Sequence, residues 1–156
     1  MILEKIRKLP SKTAVFNPMS KMDSWTDEVI SQWQIERIEL NTSITNDQIN
    51  VAEQILNFTF PDQFKQLYTK ANGFSNYDWL SNMFSIWPLE RIIDEYQSST
   101  NKQFIAFADF LIGSHWIGFM NDRDGIYKFY KEPEFVSVTF EQAIRLINSD
   151  ATIIYV

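Results

Sequence analysis

The feature that most constrains the fold is the order in which helix-like and strand-like segments follow one another. Four segments carry apolar residues at helical spacing, and most strand-like segments lie between the third and the fourth. The helices are predicted to start at or just after four residues, namely Thr45, Pro61, Pro88 and Thr139. Gln48 completes a capping box with Thr45. Helices and strands that are segregated in this way predict an α+β protein.

The strand-like segments predict a mostly antiparallel sheet. They cover residues 85–87, 104–108, 116–120, 126–130 and 135–138, and a β-branched and aromatic segment at 152–156 predicts a closing strand. Residues 121–125 contain Asp-Gly, which is typical of a hairpin connection, so we predict a five-residue loop there.

The chain before residue 45 is less regular. Ser24 followed by Asp27 predicts a helix start, whereas the residues from 33 to 40 alternate like a strand. We therefore predict a short helix that runs into an extended segment. Residues 1–22 contain two prolines and are predicted to be irregular.

The helix after Pro61 has a predicted end. Asn72 and Gly73 follow its last periodic residue, Ala71. Glycine readily adopts the left-handed conformation that ends many helices. Gly73 is therefore predicted to have a positive φ and to terminate this helix.

Composition and charge limit the class of function. The chain has 156 residues and no cysteine, which predicts one domain over 1–156 without disulfides, cysteine zinc sites or a thiol nucleophile. The net charge of −6 disfavours a nucleic-acid partner, because phosphate binders are usually basic. No apolar run approaches the roughly 20 residues of a membrane helix, and the start is charged too early for a secretory signal. We therefore expect a cytoplasmic protein without a membrane or nucleic-acid partner.

Signals for catalysis and metal binding are weak. His115 is the only histidine, and neither a nucleophile nor an orienting acid is evident beside it. Residues 121–125 superficially resemble a calcium loop, but Met120 and Lys131 would occupy its first and last ligand positions. No phosphate-binding or hydrolase motif occurs. We predict no catalytic, metal or cofactor residue and a protein that is not an enzyme, with an enzyme of unrecognised site as an alternative.

The most specific pattern in the chain covers residues 45–74, TNDQINVAEQILNFTFPDQFKQLYTKANGF. A capped helix leads to an apolar residue and Pro61, aromatic positions follow, and Asn72 and Gly73 close the segment. This pattern resembles the SUKH superfamily, which includes the yeast Smi/Knr-type cell-wall regulators and many bacterial immunity proteins. The resemblance covers about residues 45–148, and the first 44 residues are an N-terminal extension of uncertain structure.

The resemblance implies a compact domain with a curved sheet and about four to five helices packed against it. It also implies a function without catalysis, because the bacterial members bind and neutralise toxins of interbacterial competition. The acidic balance of the chain suits a basic toxin domain encoded nearby. The alternative is a regulatory or scaffold module that binds an endogenous protein, as the yeast relatives suggest. In both cases we expect a monomer or a weak dimer.

The predicted binding residues lie first in one loop. Tyr77 and Trp79 flank Asp78 after the Asn-Gly pair, and loops often carry the aromatic anchors of interfaces. The alternative is that Trp79 and Leu80 fold back into the core, since buried tryptophan is common.

Further carboxylates are predicted to supply negative charge for a basic partner. Asp109, Asp122 and Asp124 belong to this set, and the last two join the surface only if their loop lies near Asp78. The segment 23–62, which has eight carboxylates against one arginine, is the next candidate surface.

Overall fold

The structure, a computed structural model, describes residues 24–155. Its helices are α1 (Trp25–Ile35), α2 (Asn46–Leu56), α3 (Asp62–Tyr68), α4 (Leu89–Ser98) and α5 (Phe140–Asn148). Its strands are β1 (Phe84–Ile86), β2 (Phe104–Phe110), β3 (His115–Met120), β4 (Arg123–Phe129) and β5 (Pro133–Ser137). Short 3₁₀ turns cover Ser75–Tyr77 and Thr152–Ile154. The predicted α+β class, with an antiparallel sheet and five helices, is confirmed.

The five strands form one sheet, in which every neighbouring pair is antiparallel and the order follows the chain. Ile105 of β2 is opposite Phe119 of β3, which is opposite Ile126 of β4, and all three side chains are buried. This face of the sheet carries the core. Because side chains alternate along a strand, Ala106 and its partner Gly118 lie on the other face, which we call the outer face.

Local signals at the helix starts are confirmed. The Ser24 hydroxyl accepts from the amide of Asp27, and Thr45 does the same for Gln48, so α1 and α2 both begin with a complete capping box. At the start of α5, the Thr139 hydroxyl accepts from the amide of Gln142. No helix among residues 24–155 is long and apolar enough to cross a bilayer.

Aromatic rings dominate the core. Phe64 of α3 stacks on Phe60 with ring centroids 3.9 Å apart and on Tyr68 at 4.0 Å, and it meets Phe140 of α5 edge-on. The buried Tyr68 hydroxyl donates to the Trp87 carbonyl at 2.6 Å, and desolvation raises the pKa of Tyr68 above its ordinary value. Much of the aromatic content therefore serves folding and leaves fewer rings for a partner.

The Asn72-Gly73 pair has a different role from the predicted one. Helix α3 ends at Tyr68, so the prediction that Gly73 terminates it is wrong, although its φ of 65° is positive as expected. A Cβ on Gly73 would lie 2.5 Å from the backbone of Trp87. The side chain of Asn72 accepts from the amide of Leu89 at 2.8 Å. The pair therefore secures the start of α4 and lets two backbone segments approach closely.

Three other predictions at element ends are wrong. Residues 33–35 stay helical, and the extended segment after them makes only an isolated bridge, between Leu40 and Phe74. The β3–β4 connection is the two-residue turn 121–122, because Asp124 and Gly125 already belong to β4. The segment at 152–156 forms no closing strand within the described residues, since Thr152–Ile154 is a 3₁₀ turn.

Part of the predicted N-terminal extension belongs to the folded unit. Trp33 of α1 is completely buried, and its indole donates to the side chain of Asn148 in α5 at 2.8 Å. Arg145 of α5 also pairs with Glu28 of α1 at 2.8 Å. Helix α1 therefore packs against the C-terminal helix. The prediction of an irregular segment over 1–22 lies outside the described residues.

Candidate protein-binding surface

The loop that follows Phe74 exposes two aromatic side chains. Tyr77 is 68% exposed and Trp79 is 46% exposed, whereas the next residue, Leu80, is fully buried. The core alternative is therefore correct for Leu80 and wrong for Trp79. Asn76 and Tyr77 both have left-handed backbone, with φ of 54° and 58°. Such conformations are costly for residues other than glycine and persist only where neighbouring contacts hold them.

Asp78 fixes this loop from within. One carboxylate oxygen accepts from the amide of Glu39 at 3.2 Å, and the other accepts from the amide of Trp79 at 3.0 Å. The Asp78 carbonyl accepts from the Ser85 hydroxyl of β1 at 2.7 Å. The loop is therefore tied to the edge of the sheet, and its aromatic side chains are presented from a fixed backbone.

Arg91 of α4 joins this loop to the sheet. Its guanidinium lies between two rings, 4.7 Å from the centroid of Tyr77 and 4.3 Å from that of Trp87. Asp109 of β2 accepts from the indole of Trp87 at 2.7 Å and lies 3.7 Å from Arg91. Asp109 is only 4% exposed. Asp109 therefore positions the indole of Trp87 and balances the charge of Arg91. Because it is buried, it is not available as the exposed contact that was predicted.

The exposed face of α4 is acidic. Glu90, Asp94 and Glu95 are all exposed, and the one basic residue of the helix, Arg91, is engaged by Asp109. Glu90 accepts from the side chain of Asn72 at 2.9 Å. Neither Asp94 nor Glu95 forms an ion pair with any residue from 24 to 155. This acidic face borders the same hollow as Tyr77.

Asp122 and Asp124 lie elsewhere. Asp78 is hydrogen-bonded to Ser85 of β1, which is opposite Asp109 near the end of β2. The β3–β4 turn lies at the other end of β2, because Met120, just before the turn, is opposite Phe104 at the start of β2. The two loops are therefore at opposite ends of the sheet and two strands apart. Asp122 also pairs with Arg123 at 3.2 Å, which lowers the pKa of that carboxyl.

The acidic segment 23–62 is partly neutralised by residues distant in sequence. Three of its carboxylates form ion pairs of 2.8–3.4 Å, namely Asp27 with Lys70, Glu28 with Arg145 and Glu53 with Lys65. Within the described residues, these ion pairs balance part of the charge of the segment, whereas no carboxylate of α4 forms one.

His115 lies in an apolar setting. It is 7% exposed and packs against the rings of Phe84 and Phe110, and its Nε2 lies 2.9 Å from the Ile154 carbonyl oxygen. Desolvation lowers the pKa of His115, opposed by the hydrogen bond to Ile154. Among residues 24–155, no group of three or more acidic or histidine side chains is placed to hold a metal ion.

Sequence reasoning missed a groove on the outer face of the sheet, between β2, β3 and β4 and the C-terminal half of α4. Its volume is about 260 Å³. We call it the aromatic groove, and its rings are Trp87, Tyr96, Phe104, Trp116 and Phe129. The signal was present, because residues 104–108 are apolar at every position, which indicates cover on both faces of a strand.

Ala106 is the small residue that leaves space in this groove, because it lines the groove with only a methyl group. Its partner Gly118 serves a close approach of strands, since a Cβ there would lie 2.3 Å from the Ile105 carbonyl oxygen. Trp116 and Phe129 are directly opposite each other at one side. Glu95 lines the groove and also the hollow next to Tyr77, which makes the two parts one continuous surface.

Comparison with known proteins gives one family. A family model described as SMI1 / KNR4 family (SUKH-1) matches residues 43–150. The matched range contains the Tyr77 loop, α4 and all five strands, and α1 precedes it. No curated protein matches the chain.

Proposed function

Because the chain belongs to the SMI1 / KNR4 family (SUKH-1), we propose that it is a protein-binding domain without catalytic activity that protects a cell by binding a toxin. The partner is a basic toxin domain encoded nearby, and the protein neutralises it by covering or distorting its active surface. This function is the one that the SUKH resemblance implies for bacterial members.

The observation that carries this proposal is the continuous surface from the Tyr77 loop across α4. Tyr77 and Trp79 are exposed although each is a large ring, and Tyr and Trp are the residues most often found as interface anchors. Asp94 and Glu95 border the same hollow as Tyr77 and form no ion pairs with other described residues. Exposed rings supply contact area, and the carboxylates attract a basic partner, so the two features suit the same complex.

Electrostatic attraction predicts the rate at which the complex forms and the dependence of that rate on salt. An acidic patch raises the association rate with a basic partner, and salt weakens this effect because exposed charges are screened. Asp78→Lys would test the idea poorly, since Asp78 also accepts two backbone hydrogen bonds that shape the loop. Asp94→Lys changes the charge at an exposed helical position and leaves the loop intact.

A growth assay tests the function. Cells that express the toxin encoded next to this chain should die without the chain and grow when both are produced. Trp79→Ala should weaken protection, because loss of an exposed ring that the partner would cover speeds dissociation by a factor equivalent to about 2 kcal/mol. His115→Gln should protect as well as the wild type. If no neighbouring gene product is toxic, or if the folded wild type gives no protection, the regulatory alternative replaces this proposal.

A further inference from the structure

The aromatic groove has the size of a site for one side chain. Pockets that enclose a whole small-molecule ligand have volumes of roughly 300–1,000 Å³. The groove has about 260 Å³ and is partly open to the surface. It is walled by rings on both sides, with Trp116 and Phe129 from the sheet and Tyr96 from the helix. Its shape therefore suits a long side chain that is inserted from a partner.

The charge of the groove indicates which kind of partner side chain it would bind. Glu95 lines the groove and has no ion pair with any residue of the described part of the chain. Asp109, which lies behind Trp87, is already balanced by Arg91. Lys102 is nearby, but its ammonium donates to the last carbonyls of α4, those of Tyr96 and Gln97, at 2.7 and 3.1 Å. This ammonium also lies 4.7 Å from the centroid of the Tyr96 ring, and Lys102 does not itself line the groove. Glu95 is the one charged residue among the described residues that line it, so the charge within the groove is negative.

Next to the groove, the protein already holds one guanidinium on aromatic rings, that of Arg91. The guanidinium of Arg91 lies over the rings of Trp87 and Tyr77, and Trp87 is also a wall of the groove. A guanidinium is planar and weakly hydrated, so it stacks on aromatic faces more readily than an ammonium does. The groove offers the same combination of rings and one carboxylate.

We propose that the aromatic groove receives an arginine side chain of the protein partner, with its guanidinium stacked on the rings and its charge facing Glu95. This inference rests on the proposed function and names the contact that anchors the complex. The Tyr77 loop and the acidic face of α4 then lie at the side of this anchor, on the continuous surface already described.

A model compound tests the groove without the partner. Nα-acetyl-arginine methylamide is titrated into the isotope-labelled full chain, with the neutral isostere acetyl-citrulline methylamide as the matched ligand. The arginine compound should bind with a Kd of about 1 mM. The shift changes should centre on the Trp116 indole and on the amides of Tyr96 and Phe129. The citrulline compound should cause no saturable change.

Three variants locate the binding. Ala106→Leu fills the space between the rings and should abolish the shifts. Glu95→Gln should weaken binding about fivefold, the equivalent of about 1 kcal/mol. Asp124→Asn removes the same charge at the far end of the sheet and should leave binding unchanged. Equal binding of the citrulline compound, absence of saturable shifts at the groove, or full binding to folded Ala106→Leu would overturn the proposal.

Binding measurements on the complex with the toxin distinguish failure of this inference from failure of the proposed function. If toxin and wild type form a complex, Ala106→Leu and Glu95→Gln should weaken it and Asp124→Asn should not. A complex that is insensitive to both groove variants overturns the inference and leaves the function standing. If no complex forms, the function fails, while the titration still decides whether the groove binds arginine.

Discussion

At the scale of single residues, the Asn72-Gly73 pair shows why a short motif can be structural. Asn72 is 4% exposed, and its side chain accepts from the start of α4 and donates to Glu90. Gly73 lets its own backbone pass within reach of Trp87. The positive φ was readable from the sequence, because glycine next to asparagine favours it. The contact with Trp87 was not, because it joins segments far apart along the chain.

Alanine substitutions at two glycines with positive φ distinguish the energetic cost of backbone strain from that of steric conflict. Gly73→Ala should lower the free energy of unfolding by about 3 kcal/mol, since it combines left-handed strain with overpacking. Gly113→Ala is the matched control, with φ of 86° but no atom closer than 3.9 Å to the added Cβ. It should cost only about 1 kcal/mol. Urea denaturation measures both, and equal costs would contradict the close-approach account.

His115 makes stability depend on pH. Burial lowers its pKa in the folded state, so the unfolded chain, with a histidine pKa of about 6.5, binds more protons in mildly acidic solution. The free energy of unfolding should therefore fall as pH decreases from about 7 to about 5. The charged groups that act on it are Lys128, which lowers the pKa further, and Asp109 and Glu134, which raise it.

Replacement of the His115 imidazole isolates its contribution to the pH dependence of stability. In His115→Gln, the slope of unfolding free energy against pH should be flatter over the same range, because the carboxylates titrate mainly below it. His115 is the only histidine, so no second imidazole contributes. Identical slopes in the two proteins, measured by urea denaturation across the range, would refute the assignment.

At the scale of elements, local signals predicted where helices begin, but not the contacts between segments distant in sequence. The starts of α1, α2 and α5 were predicted because each cap is made by residues three apart, as in Thr45 and Gln48. Those of α3 and α4 were predicted from a proline at the N-cap. Strand positions followed from apolar pattern. The aromatic groove was not predicted, because it needs Ala106 of β2, the rings of β3 and β4 and the end of α4 to lie together. The placement of Asp109 was missed for the same reason, since its partners come from another element.

Helix α1 lies before the family-matched range and still completes the core. Trp33→Ala should therefore lower the free energy of unfolding by about 4 kcal/mol, through loss of a fully buried ring and of its hydrogen bond to Asn148. Trp79→Ala is the matched tryptophan control and should cost less than about 0.5 kcal/mol, because that ring is exposed. Far-UV circular dichroism in urea reports both. A small loss for Trp33→Ala would mean that α1 is not part of the cooperative unit.

At the scale of the whole molecule, charge is distributed unevenly for a reason that only the fold reveals. Asp27, Glu28 and Glu53 are balanced by basic residues from α3, α5 and the chain near them. The carboxylates of α4 lack such pairs within the described residues. The net charge of −6 therefore leaves an acidic surface next to exposed rings. This arrangement is what a basic protein partner would meet first.

Inhibition stoichiometry is the most direct test of the central claim, that the chain acts by binding and not by catalysis. A fixed amount of the purified toxin domain is mixed with increasing amounts of the chain, and residual toxin activity is measured at equilibrium. Inhibition by binding predicts a linear fall of toxin activity to zero at about one equivalent, with an unmodified toxin recovered when the complex is denatured. Progressive inactivation by far less than one equivalent, or a toxin that stays inactive after separation, would contradict it.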